Sequence, residues 1–570
     1  MQNVLFHLFR RMRLPLIVLI VSYAVSMLGL VLIPGMDDQG HPWRMDFFHA
    51  FYFVSFMGST IGFGEIPYPF TDAQRLWTTF ALYSTVISWL YAIGALLTII
   101  QSNPFRQAVA HNTFIRQVKR IKEPFYLICG YGDTGSLVVK ALSDRGISSV
   151  VIDINQDRIN TLEIEDLSAV NPGLCANAAE TDNLIASGLR SRLCAGVIAV
   201  TGEDQTNLMI ALTSKLLVSP KPVICRAETE DMEANLDSFH TDYVINPYHR
   251  FANRLALSFR SPSIYLLFDW FTSSDTMQCS KLIQPPKGLW VICGYGRFGK
   301  AIEKFFNFQG IETIIVEADP DNTQPPPATI IGRGTEAVTL REANIEEAVG
   351  IVAGTNNDAN NLSIIVTARS LKPDIFTVAR QNQQKNTTTF EAAKSDMVMQ
   401  SSTIIARRVL SRIQTPLLAD FLRTTQTKDE EWASDMVKRI QELTDNQIPH
   451  AWTLRVNNRY APALAASIKK QQQILLGTVL HDPRNYSQRL PCIALMAKQK
   501  EEKILLPDES LSLSLGDKVL FCGTADAKRH MSLTLESEPA LLYCLTGESQ
   551  SQGYFWRWLS KKYLQNGQMN

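Results

Sequence analysis

Two clusters of small residues in this chain have the types and spacing to hold ions or phosphates. Thr60 to Glu65 reads Thr-Ile-Gly-Phe-Gly-Glu. Alternating glycines admit backbone conformations closed to other residues, so successive carbonyl oxygens can converge on one axis and replace the water shell of a dehydrated cation. The second cluster occurs twice. Phe125 to Gly135 reads Phe-Tyr-Leu-Ile-Cys-Gly-Tyr-Gly-Asp-Thr-Gly, and Leu289 to Gly299 reads Leu-Trp-Val-Ile-Cys-Gly-Tyr-Gly-Arg-Phe-Gly. Gly130, Gly132 and Gly135 map onto Gly294, Gly296 and Gly299 at a constant offset of 164 (294 − 130), and so do Asp153 and Glu317. Glycines so spaced, after an apolar strand and before a helix, permit a tight turn and bring a pyrophosphate close to the helix N-terminus. An acid closing the next strand accepts hydrogen bonds from a ribose diol.

The first cluster lies between two apolar runs, Leu14 to Ile33 with twenty residues and Trp77 to Ile100 with twenty-four, neither carrying a charge. Each is long enough as a helix to cross about 30 Å of hydrocarbon, so both read as membrane spans, and the first is too long for a signal-peptide core. Arg10, Arg11 and Arg13 precede the first span, and Arg106, Arg116, Lys119, Arg120 and Lys122 follow the second. That bias places both termini in the cytoplasm and the glycine segment on the outer side. Asp46 to Ser59, fourteen aromatic-rich residues, is too short to cross and fits a re-entrant helix whose C-terminal dipole faces the ion path. In the second span Gly94 is open between a hinge and a close-packing site, and Leu96 and Leu97 between a dewetting constriction and ordinary packing. Ser84, Thr85 and Ser88 can bond back to the helix backbone.

Thr60 to Glu65 resembles a potassium-channel selectivity filter, whose pattern is Thr-Val-Gly-Tyr-Gly-Asp. Ile61, Phe63 and Glu65 are departures of similar shape or the same charge. The resemblance implies K+ coordinated at Thr60, Ile61, Gly62 and Phe63, and four subunits around one axis.

The chain has 570 residues, 46% hydrophobic and 19% charged, with 55 basic residues balancing 55 acidic ones, so no net field recommends nucleic acid as a partner. Nine cysteines without a Cys-x-x-Cys pair, and nine dispersed histidines, read as reduced thiols and give no zinc site. The expected organisation is a cytoplasmic N-terminus (1–13), a pore domain (14–101), a polar linker (102–124), a first Rossmann unit (125–246), crossover helices (247–287) and a second Rossmann unit (288–405). A helical connection (406–474), a small α+β lobe (475–530) and a tail (531–570) follow, with a terminal helix expected at Gly553 to Leu564.

The repeats continue in step after an indel: Thr201, Asp204, Asn207 and Arg226 pair with Thr355, Asp358, Asn361 and Arg380 at an offset of 154 (355 − 201). These features resemble the regulator-of-K+-conductance (RCK, TrkA-N type) domain, and with the pore the chain is similar to prokaryotic ligand-gated K+ channels with two such domains per subunit. The resemblance implies a homotetramer in the inner membrane, with eight RCK domains in a cytoplasmic ring gating the pore in response to nucleotides. Asp153 and Glu317 favour a free 2′-hydroxyl, hence NAD or ADP. Repeat two offers Arg297 where repeat one offers the anion-repelling Asp133, so tighter binding is expected in repeat two, with Phe298 among its cofactor-binding residues and Arg333, Gly334 and Thr335 around the adenosine half. Glu228, Glu230, Asp231 and Glu233 are open between a Ca2+ site and a solvated helix face. Two rival readings remain: an NAD-dependent oxidoreductase, for which no positioned acid or base follows either repeat, and a regulatory subunit of a multi-span K+ transporter.

Overall fold

The computed structural model describes residues 2–218, 220–272 and 282–548, and the segment expected to form a terminal helix lies outside them. The chain divides into two compact units, Met1–Arg120 and Ile121–Asn570.

In the first unit a helix spans Gln2–Leu32, a short helix Phe47–Gly58, and a long helix Asp72–Gln101. The first and last of these contain stretches long and apolar enough to cross a membrane. The short helix starts where Asp46 accepts a hydrogen bond from the His49 N–H at 2.7 Å. Its Ala50, Phe53, Val54, Phe56 and Met57 are buried with Leu30, Phe70 and Ala81 from the flanking segments. Hydrogen bonds fix the long pair: Ser22 Oγ to Ser84 Oγ at 2.7 Å, the Trp77 indole to the Ser26 carbonyl at 3.1 Å, and the Trp89 indole to the Tyr23 hydroxyl at 2.7 Å. Close approach needs Gly29, where an added Cβ would stand 1.9 Å from Trp77. The segment expected to be a polar linker is helical over Asn103–Arg120. Its hydrophobic residues recur at helical spacing among the bases, and a polar composition alone does not break a helix.

The second unit holds two six-stranded parallel sheets, each in the order 3-2-1-4-5-6 counted from its own first strand. The first strands are Phe125–Cys129 and Trp290–Cys293, and the fourth are Cys194–Ala199 and Gly350–Ala353. Order reverses between first and fourth strands, which opens a crevice at their carboxyl ends. The two repeats are joined by exchange. Helix Pro247–Arg260 follows repeat one, yet its Tyr248, Phe251, Leu255 and Phe259 lie in a core with Trp290, Phe298 and Phe306 of repeat two. Helix Ser401–Gln414 follows repeat two and gives Ile405, Ala406 and Val409 to the core of repeat one. Each crossover helix is followed by a second, Pro262–Thr272 and Pro416–Thr425, with Pro as the first helical residue.

A four-stranded antiparallel sheet completes the chain, with strand order His450–Arg455, Lys518–Gly523, Cys492–Gln499, Glu502–Leu505. The lobe therefore begins some 25 residues before the expected boundary at 475 (475 − 450). It also takes in helices Ala525–Glu536 and Glu538–Thr546, which the sequence reading placed in a tail. Met531 and Leu541 of these helices are buried against Trp452 and Phe521 of the sheet.

Candidate functional site

The Thr60 to Glu65 segment leaves the short helix through two hydrogen bonds, Thr60 N–H to Met57 O and Ile61 N–H to Phe56 O, each 3.0 Å. Along it φ is positive at every second residue: 64° at Thr60, 67° at Gly62 and 97° at Gly64. Alternating left- and right-handed backbone turns successive carbonyls to one side, the arrangement a row of cation sites requires. A Cβ at Gly62 or Gly64 would meet nothing within 4 Å, so glycine is required there by backbone conformation and not by crowding. Phe63 rests edge-on against Phe56 at 5.4 Å. Ile61 and Phe63 are 62% and 65% exposed in the single chain. Glu65 is tied back: its carboxylate accepts from the Phe70 N–H at 2.8 Å and from Arg75 Nε at 2.9 Å. In the long helix Thr85 and Ser88 donate to the carbonyls of Ala81 and Ser84 at 2.8 and 2.7 Å. Gly94 has open space around it in an unbroken helix, and Leu97 is half exposed.

The two glycine turns are built alike. Gly130 (φ 102°) and Gly294 (φ 95°) bond back to Ile152 and Val316, each at 2.8 Å. Gly132 and Gly296 cap the following helices without any side-chain acceptor, which leaves the first helical N–H groups for an anion. Gly135 and Gly299 lie beneath the turns, where a Cβ would come within 1.9 and 2.0 Å of the Gly130 and Gly294 carbonyl oxygens. Asp153 accepts from the Tyr131 and Asn155 N–H groups at 2.6 and 2.8 Å and from Arg158 at 3.3 Å. Glu317 does the same for Tyr295 at 2.5 Å and Asp319 at 2.8 Å. Both acids therefore brace the turn they face. Thr201 and Thr355 each give N–H and hydroxyl bonds to Asn207 and Asn361, whose amides donate to the carbonyls of Arg226 at 3.2 Å and Arg380 at 2.7 Å. These asparagines hold the crevice open at the fourth and fifth strands.

The clefts above the turns differ. That of repeat one encloses 660 Å³, bordered by Gly130, Gly132, Asp153, Thr201 and Arg226, and also by Asn382 to Lys385 and Ser401 of repeat two. Asp133 also lines this cleft, its carboxylate accepting from the Gln384 N–H at 3.0 Å. The cleft of repeat two encloses 330 Å³ and is lined by Gly294, Glu317, Arg333, Gly334, Thr335 and Thr355, all from repeat two itself. Arg297, expected beside its phosphate, is instead ion-paired with Glu228 of repeat one. Phe298, expected among the cofactor-binding residues, is fully buried in the exchanged core. Sequence reasoning missed Arg158 and Lys385 at the cleft of repeat one. Arg158 follows Asp153 by five residues and was findable; Lys385 comes from the other repeat and left no local signal.

Arg226, Arg297 and Arg380 converge where the repeats meet. Arg226 and Arg297 share Glu228, while Arg297 and Arg380 lie 5.8 and 5.1 Å from the centre of the Tyr248 ring. Burial, with Arg297 and Arg380 nearby, lowers the Arg226 pKa, and burial raises that of Asp204. Arg226 borders the nucleotide cleft on one side and this cluster on the other; Arg380 belongs to the cluster alone. Three of the acids considered for Ca2+ are engaged with cationic or histidine partners, Glu230 and Glu233 both on His249. Glu228 faces these arginines, and Glu230 accepts from His249 at 2.9 Å and Lys304 at 2.8 Å. No group of three metal-ligating side chains occurs among the described residues.

Comparison with known proteins matches an ion-channel family to residues 14–102 and the TrkA-N domain to residues 126–247 and 290–401. The chain is an ion-channel pore unit joined to two TrkA-N domains. Potassium channel protein 1 of Methanocaldococcus jannaschii is 23% identical over 57% of this chain and 92% of that protein. The voltage-gated potassium channel Kch of Escherichia coli is 23% identical over 35% of this chain and 46% of that one. An uncharacterized protein of Methanothermus fervidus is 27% identical, and the chain spans about a third of its length (35%). A solved structure titled GsuK channel bound to NAD is 16% identical, covering 94% of this chain and 99% of that one with a TM-score of 0.44. The pore-unit match implies a membrane protein, and the relatives include prokaryotic potassium channels.

Proposed function

We propose that this chain is one subunit of a homotetrameric, K+-selective channel of the inner membrane, gated by NAD or ADP. The observation that carries the reading is the alternation of left-handed backbone at Thr60, Gly62 and Gly64, which has no use in a single chain and supplies one wall of a carbonyl-lined path in an assembly. Arginines before the first span and bases after the second favour cytoplasmic termini. Within the soluble unit, the cleft of repeat one is twice as large as that of repeat two. It also adds the exposed Lys385, with Arg158 and Arg226 paired to Asp153 and Glu228 at its edge, to an uncapped helix N-terminus, so it is the better dinucleotide site. The expectation of tighter binding in repeat two rested on Arg297, which Glu228 already holds. Channel activity is favoured over catalysis because the relatives include potassium channels and residues 14–102 match an ion-channel family.

The test is 86Rb+ flux into liposomes holding the purified protein. Flux should respond to ADP or NAD, and Gly62→Ala should abolish K+ over Na+ preference, because a left-handed non-glycine residue costs about 1–2 kcal/mol and reverts toward ordinary backbone. Selective flux through Gly62→Ala refutes the filter assignment. Flux indifferent to nucleotide refutes the gating reading alone.

A further inference from the structure

Between the crossover helices lies a cavity of 530 Å³ that shares no residue with the ion path or with either nucleotide cleft. Six arginines line it, Arg250, Arg254, Arg260, Arg407, Arg408 and Arg423, and no carboxylate does. Phe305, Phe308 and Ile404 give it apolar walls, and Phe308 is 84% exposed. Arg254 and Arg408 occupy equivalent places at the offset of 154 (408 − 254), one on each crossover helix, whereas the other four arginines have no arginine counterpart in the other repeat.

Only part of this charge is answered within the chain. Arg254 pairs with Asp269, and Arg260 donates to the Gln426 carbonyl at 3.2 Å. Among the described residues Arg250, Arg408 and Arg423 face no carboxylate within ion-pair distance. The Nε group of Arg254 is buried without an acceptor. Burial, and the neighbouring Arg250, Arg412 and Arg423, push Arg408 down to about 10. Arg250 and Arg423 are exposed and Arg408 is half-buried, and a half-buried cation among other cations destabilises a fold unless something else supplies the charge.

We propose that this cleft binds a phosphorylated small molecule with an apolar body, at a site separate from the nucleotide cleft of repeat one. The volume is that of a small-molecule pocket, planar guanidinium forks match phosphate oxygens in pairs, and the phenylalanines cover an apolar moiety. Because both crossover helices line the cleft, its occupant reports on how the repeats are joined.

The experiment is calorimetric titration of the full-length protein in phosphatidylcholine nanodiscs with two probes, inorganic pyrophosphate and dihexanoyl phosphatidic acid, on the natural protein and on Arg408→Gln and Arg423→Gln. At least one probe should bind saturably, with affinity falling about tenfold or more in either variant. Tighter binding of pyrophosphate points to a soluble phosphate compound, and tighter binding of the phosphatidate to a lipid headgroup. Thermal unfolding separates ligand binding from support of the fold. Without probe both variants should melt at or above the natural temperature, since like charges are removed, and the probe-induced rise should be lost. Absence of saturable binding, binding unchanged in both variants, or variants melting well below the natural protein would each overturn the proposal.

Discussion

Gly135→Ala and Gly299→Ala apply nearly the same steric perturbation to the two repeats, and only one of them should disturb nucleotide binding. The new Cβ would stand 1.9 Å from the Gly130 carbonyl oxygen in the first and 2.0 Å from that of Gly294 in the second. Both atoms are backbone, so the helix must withdraw from the turn by more than about 1 Å to restore contact distance. Overpacking of this kind costs about 1–3 kcal/mol, and both variants should lose similar thermal stability. In repeat one the withdrawal also pulls the uncapped helix N-terminus, beginning at Asp133, away from the bound phosphates. Losing one charge-assisted hydrogen bond, about 1.5–3 kcal/mol, weakens binding about 10- to 150-fold. Calorimetric titration of the full-length channel with ADP measures this directly. ADP affinity should collapse in Gly135→Ala and stay within about threefold of the natural value in Gly299→Ala. A loss confined to Gly299→Ala would place the nucleotide in repeat two and refute the reasoning from cleft size and from the pairing of Arg297.

Two further outcomes test the contacts between the repeats. Lys385, brought by repeat two to the cleft of repeat one, is exposed, so Lys385→Glu should weaken ADP binding by about 1–2 kcal/mol, about 5- to 30-fold, and the effect should shrink as salt rises; equal affinity at low salt would remove Lys385 from the site. Hydrogen bonds to Glu233 and Glu230 hold the His249 pKa above its ordinary value, while Lys304 and His249 hold Glu230 below its own. The histidine contribution is present below about pH 6.5 and lost as pH rises through its raised pKa; the carboxylate contribution is lost only as pH falls below about 4.5. Unfolding temperature should therefore drop between pH 6.5 and 8.5, and His249→Gln should flatten that drop; an unchanged profile would show that the clasp contributes nothing.

What could be read from residues alone was whatever the backbone demands locally. The filter and the glycine turns announce themselves because left-handed φ at Gly62, Gly64, Gly130 and Gly294 excludes other residue types within a few positions. Asp153 and Glu317 were placed at the strand ends correctly, yet their hydrogen bonding to Tyr131 and Tyr295 was not foreseeable, because the partners are main-chain groups common to every residue. Arg297 stands beside a glycine turn in sequence and faces Glu228 in space, since the exchange of crossover helices brings repeat one against it. Phe298 likewise carried no mark of its burial, because its neighbour Phe251, at 5.5 Å between ring centres, comes from a helix that belongs to the other repeat. The arginine-lined cleft had no sequence signature either. Its charges lie on two helices whose meeting follows from the same exchange.

That exchange also bears on which cleft can drive gating. A ligand shifts a conformational equilibrium only by the difference in its affinity for the two states. Every residue around the smaller cleft belongs to repeat two, so a molecule bound there meets the same walls however the repeats are arranged. The larger cleft is different, since Gly130, Asp153 and Arg226 come from one repeat and Gln384, Lys385 and Ser401 from the other. Gln384 already bonds to Asp133 across the gap, and Ser401 opens the helix that enters the core of repeat one. A dinucleotide spanning these walls has an affinity that depends on how far apart they stand, which is the differential binding a gating ligand requires. Of the two clefts, only that of repeat one can therefore convert nucleotide binding into movement of one repeat against the other.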